Sequence, residues 1–198
     1  MSTAEPGAPP VPRRAPVWMP CALVAVVGWL VGVHQVGPLS VYAEAARLSL
    51  VWYVLEQALA VVVTVAALGA GAMLFARALP RLRVVVEGVC QARWPLALAA
   101  ALASRAALSS FMPEQILDVG DSGLKMDLEP LQWAWLIVVT LAVAGLMLRA
   151  AWRYAMVLQL VVPAGWRLIG ALLVALISGE VVARPLTGWA FRLLAWPP

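Results

Sequence analysis

The sequence predicts an all-α fold, a polytopic transmembrane helix bundle of five spans with a cytoplasmic N-terminus and an outside C-terminus. Three observations predict it. The 198 residues are 64% hydrophobic and 12% charged, with a mean hydropathy of +0.91; a soluble domain is about half apolar and about a quarter charged. Apolar stretches of about 20 residues, the length of a membrane-crossing helix, recur along the chain. The links between them alternate between basic and acidic or weakly basic, as the positive-inside rule requires of a threaded chain.

The opening MSTAEPGAPPVPRRAP, residues 1–16, is rich in Pro, Ala and Gly. It cannot bury a core and reads as a disordered cytoplasmic tail. The bundle follows over 17–183, with spans near 17–33, 50–76, 94–112, 131–148 and 168–182. Arg13 and Arg14 before the first run, with Ala43-Glu44-Ala45 beyond it, also fit a signal peptide and its cleavage site. The gap of about a dozen residues between run and site favours an uncleaved anchor. The stretch 154–162 is too short to cross; it either extends the fourth helix or lies in the interface. The segment RLRVVVEGVCQAR (81–93) reads either as an interfacial helix or as a cytoplasmic continuation of the third helix. The tail RPLTGWAFRLLAWPP (184–198) mixes Arg with Trp, Phe and Leu and reads as a short amphipathic helix on the outer surface.

Tryptophan marks the boundaries. Trp18, Trp52, Trp94, Trp133, Trp135, Trp152 and Trp166 fall near span ends, where an apolar ring with one N–H donor prefers to sit. Trp29 lies inside the first span. Charge then sets direction. Arg13 and Arg14, the group Arg77, Arg81, Arg83 and Arg93, and the group Arg149, Arg153 and Arg167 mark cytoplasmic regions. The links holding His34, Glu44 and Arg47, and Glu114, Asp118, Asp121, Lys125, Asp127 and Glu129, belong outside. Arg184 and Arg192 are discordant. The basic residues are scattered, so nucleic acid is not an expected partner. The bilayer is, together with another membrane protein or a second copy of the chain. A bacterial inner membrane is the expected location.

Arg105 is the anomaly inside the third span. A guanidinium at mid-membrane depth costs about 2.5–3.5 kcal/mol on insertion scales. By a rise of 1.5 Å per residue, Arg105 lies about 10 Å below the outer surface, Glu56 about 9 Å and Glu180 about 6 Å or less. The short link between spans two and three makes them antiparallel neighbours. The expectation is therefore an ion pair of Arg105 with Glu56, with Glu180 as second candidate. Snorkelling of Arg105 and a water-filled cavity are the alternatives.

Catalytic chemistry is sparse. His34 is the single histidine, and no serine sits in a nucleophile motif. Glu180 to Arg184 matches an E-x-x-x-R spacing of membrane glutamate proteases, but the additional histidines are missing. Gly120-Asp121 lies in a polar loop. Asp118, Asp121, Asp127 and Glu129 lack the spacing of a calcium loop and read as a solvated acidic cluster. Cys21 and Cys90 fall in separate segments with no C-x-x-C partner, so neither a disulfide nor a metal is expected. No phosphate or dinucleotide fingerprint occurs, so no cofactor is expected. Small-residue pairs, Ala67 with Gly71, Ala99 with Ala103 and Ala103 with Ala107, suit close helix approach within the bundle or between copies.

Five spans, a cytoplasmic tail, a basic link after span two and an outside C-terminus together resemble the Yip-domain membrane proteins. The stretch DLEPLQWAWLIVVTLAVAGLMLRAAWRYAMVL (127–158) is similar to their fourth span. The resemblance implies a membrane scaffold or accessory protein and no enzyme. A small transporter or channel component, with Glu56, Arg105 and Glu180 lining an outer cavity, is the other expectation.

Overall fold

The structure is a computed structural model and describes residues 16–34, 37–39, 49–104 and 130–194. Within them lie five helices and no strand: α1 (Met19–Val31), α2 (Leu50–Ala76), α3 (Leu82–Leu102), α4 (Pro130–Leu158) and α5 (Trp166–Leu194). Helices α2, α4 and α5 are long and apolar enough to cross a membrane. A helix suits that task because its backbone N–H and C=O groups bond one another where lipid offers no partner.

Among the described residues, length and apolarity support three crossing helices, and the first and third predicted spans are not among them. Helix α1 has 13 residues, about 20 Å of rise against about 30 Å of hydrocarbon. It stops because Gly32 turns left-handed (φ 69°) and the Val33 N–H returns to the Gly28 carbonyl at 3.0 Å. Glycine permits this ending at no steric cost. Residues 32–34 and 37–39 are not helical. Helix α3 starts at Leu82, well before residue 94, so RLRVVVEGVCQAR continues the third helix. Arg83 and Glu87 load its first half with charge, and Arg93 follows at its middle. Helix α4 extends to Leu158, and α5 runs through Pro185 to Leu194. The tail from Arg184 as far as Leu194 is thus the end of α5 and no separate helix.

Packing pairs the helices two by two. Helix α2 packs most extensively on α5, and α3 on α4, while α1 lies against both α3 and α2. The sequence-adjacent pair α2 and α3 also touch, but less. Phe75 meets Trp166 and Gly170, Gly71 meets Ala171 and Ala175, and Ala67 lies near Gly179. Numbers fall along α2 as they rise along α5, so this pair is antiparallel. Gly88 against Val157 begins the equivalent seam between α3 and α4. The core is mostly Ala and Val, among them Ala72, Val89, Ala92, Ala99, Ala150 and Ala171. Lipid tails are as apolar as these side chains, so close backbone approach, not water exclusion, holds such a bundle. The Ala67 and Gly71 pair is used within the chain. Only 11% of the most apolar stretch of α4 is buried, leaving Ile137, Val138, Leu141 and Leu148 facing outward.

Cys21 of α1 and Cys90 of α3, unrelated in the sequence, lie near one another, both as free thiols. Oxidation with copper(II) phenanthroline should therefore link them, the two thiols giving two protons and two electrons to the oxidant. Both should lose maleimide labelling together, and Cys90→Ser should restore labelling of Cys21. Undiminished labelling of both after oxidation in the wild type would separate α1 from α3.

Candidate functional site, a buried polar seam

Polar side chains are rare in this bundle, and most of those buried among the described residues gather along one seam. His34, Glu56, Gln57, Thr64 and Arg93 are all at most 5% exposed. Four of them face inward from the end of α1 and the first two-thirds of α2. Gln57, Thr64 and Gly71 are spaced by seven, which returns to one helix face every two turns.

At one end stands His34, just past α1. Its Nδ1 lies 3.2 Å from Glu56 Oε2 and 3.3 Å from Trp52 Nε1, and Tyr53 OH is 3.4 Å from its Nε2. With the proton on Nδ1, that N–H donates to the Glu56 carboxylate and the Tyr53 hydroxyl donates to Nε2; with Nδ1 unprotonated, it instead accepts from the Trp52 N–H, so the Glu56 carboxylate and Trp52 bonds are alternatives. The Tyr53 ring stacks on the imidazole at 4.6 Å. Helix α2 carries Trp52, Tyr53 and Glu56 on adjacent turns, so one helix supplies every partner of this histidine named here.

Farther along, Arg93 of α3 is completely buried. Its Nη2 donates to Thr64 Oγ1 at 3.2 Å, and the Thr64 hydroxyl donates onward to the Ala60 carbonyl at 2.6 Å. Thr64 is the fifteenth of the 27 residues of α2, so the guanidinium reaches the middle of the bundle. Arg93 Nε and Nη1 have no hydrogen-bond partner, nor have Glu56 Oε1 and Gln57 Oε1. Glu56 lies within electrostatic reach of Arg93. Two donors of a cation and two acceptors, one of them anionic, thus stay unsatisfied in the same seam. Isolated buried charge is expensive, so such groups are retained for a structural or chemical reason.

The seam also grips the chain after α1. The Leu39 N–H donates to Glu180 Oε1 at 3.1 Å, and Tyr154 OH donates to the Pro38 carbonyl at 3.4 Å. A Cβ on Gly37 would strike the Glu180 carboxylate, and one on Gly179 would meet Pro38 Cγ at 2.6 Å. Glu180 is 14 residues from each end of α5. Residues 37–39 therefore meet α5 at its midpoint and α4 near its C-terminal end, as a non-helical wedge between α2, α4 and α5. Non-helical backbone at membrane depth is tolerated where protein encloses it or water reaches it.

Of the three ion-pair candidates, the structure describes Glu56 and Glu180. Glu56 is buried but its partner is His34. Glu180 lies at the centre of α5, about 21 Å from either end of that helix by residue rise. It bonds Leu39 and lies 3.7 Å from Arg184 Nε. Arg105, Asp118, Asp121, Asp127 and Glu129 lie outside the described residues. Sequence reasoning missed Arg93, which it assigned to a cytoplasmic link. The signal was there: Val85, Val89, Arg93 and Ala97 are spaced by four, and all four are buried. An arginine on the apolar stripe of a helix faces the bundle and not the solvent.

Comparison with family models, with curated proteins and with solved structures gives no match.

Proposed function

We propose that the protein is a non-catalytic integral membrane scaffold or accessory subunit of the Yip-domain type, residing in a bacterial inner membrane. In this reading all five helices lie in the bilayer, the N-terminus is cytoplasmic and the C-terminus outside. The outward apolar face of α4 meets lipid or a partner membrane protein. The observation that carries a structural role is the use made of the polar groups: Glu180 and Tyr154 hold residues 38 and 39 in place, and Glu56 holds His34. The membrane-depth polar chemistry fixes one chain segment to three helices.

The test is reconstitution. Purified protein in liposomes should carry no proton or cation flux above empty vesicles. Glu180→Ala should leave the Leu39 N–H unpaired and lower stability by about 1–3 kcal/mol, read as thermal denaturation in detergent. A reporter active outside the cell should work when fused after Pro198.

A second reading, a small transporter or channel component, is favoured by the unsatisfied atoms of Glu56, Gln57 and Arg93 beside non-helical backbone. Midplane sites in transporters combine such elements. A flux abolished by Glu56→Gln would select it over the scaffold.

A further inference from the structure

A groove of about 780 Å³ opens where the start of α1 meets the first half of α3 and the second half of α4. Its walls include Pro20, Trp94 and Pro95, and its polar lining includes Arg83, Glu87, Arg149 and Arg153. We propose that this groove binds the phosphodiester of an anionic phospholipid, with Arg149 and Arg153 as the phosphate ligands.

Charge is the first argument. Arg83 Nε donates to Glu87 Oε1 at 3.0 Å, so those two largely offset one another. Arg149 and Arg153 have no carboxylate partner among the described residues, although both are exposed. They stand four apart on one face of α4, where like charges repel. An anion between them relieves that repulsion. A guanidinium fork matches two phosphate oxygens better than an ammonium does.

Position is the second argument, and it selects a lipid as the source of the phosphate. The apolar run of α4 ends at Leu148, and Arg149 is the first charged residue after it. The end of such an apolar run is where α4, taken by itself, would meet phospholipid head groups. Trp94, Trp152 and Trp18 are 41%, 61% and 66% exposed around this region, and indoles gather at the same level. Val17, Met19 and Pro20 give the groove an apolar edge for the glycerol and the first methylenes of an acyl chain. Basic pockets between crossing helices are suited to anionic head groups.

Native mass spectrometry of the full chain in detergent tests the proposal, with phosphatidylglycerol and phosphatidylcholine as probes. Each arginine near a membrane surface contributes a factor of about five in affinity. Phosphatidylglycerol should bind more tightly than phosphatidylcholine, and R149Q/R153Q should lose about 25-fold of that affinity. Arg192→Gln, far along α5, should bind as wild type does. Glu87→Gln, which frees Arg83, should bind phosphatidylglycerol more tightly. That variant keeps the test decisive even where the double variant fails to fold. Equal binding of the two lipids, or an unchanged affinity in both R149Q/R153Q and Glu87→Gln, overturns the proposal. So does displacement of phosphatidylglycerol by millimolar inorganic phosphate, which would make the groove a site for the free anion.

Discussion

Arg93→Met should raise the melting temperature of the protein in detergent. Methionine has similar length, fills the same channel and removes two donors that find no acceptor. Replacement of a buried, incompletely paired ion by an apolar residue is neutral or stabilising by about 1–4 kcal/mol, and about 2–4 °C accompanies each kcal/mol in a chain of this size. Thr64 keeps its own bond to the Ala60 carbonyl, so its hydroxyl still has a partner. A rise would mark Arg93 as a burden kept for chemistry, strengthening the transport reading. A fall of several degrees would mean that water bridges Arg93 to Glu56 and makes the arginine a structural pin.

Gly71→Leu should be the most damaging single change in the membrane-crossing core. A Cβ there would lie 2.6 Å from the Ala171 carbonyl oxygen, and a backbone atom cannot swing aside. Helices α2 and α5 would have to part, and the seam that holds residues 37–39 would open with them. Overpacking of this kind costs about 1–3 kcal/mol or more. Gly145→Leu on α4 is the control: nothing lies within 4 Å of its Cβ position. Fluorescence-detected size exclusion after a heating series should show early loss for the first variant and none for the second. Equal behaviour of the two would deny the close approach of α2 and α5.

The long apolar helices were legible because their signal is local. Leu50–Ala76 has a single charged residue, Glu56, in 27 positions. What failed was the inference from charge to boundary. Arg184 and Pro185 looked like the end of the last helix. A proline in a bundle is tolerated where neighbours satisfy the freed backbone, and α5 continues for nine residues beyond it. Arg93 failed for the same reason, since a basic residue near a basic link was counted as topology although its spacing from Val89 and Ala97 pointed inward. His34 and Glu56 were placed in the same half of the bundle, but their pairing depends on where α1 stops. That stop is set by the left-handed turn at Gly32, one glycine among fourteen in the chain, which no periodicity singles out.

The wedge at residues 37–39 has a consequence for how the protein is made. Leu39 waits for Glu180, 141 residues later, and Pro38 for Tyr154, 116 residues later. A ribosome adds about 5–20 residues per second, so this backbone spends several seconds without its final partners. A finished helix can be released sideways into lipid as it emerges, but a half-length helix followed by bare backbone cannot be. Residues 37–39 therefore cannot take their final place until the last helix arrives. Completion of the chain, rather than its beginning, is the event that seats this segment in the bundle.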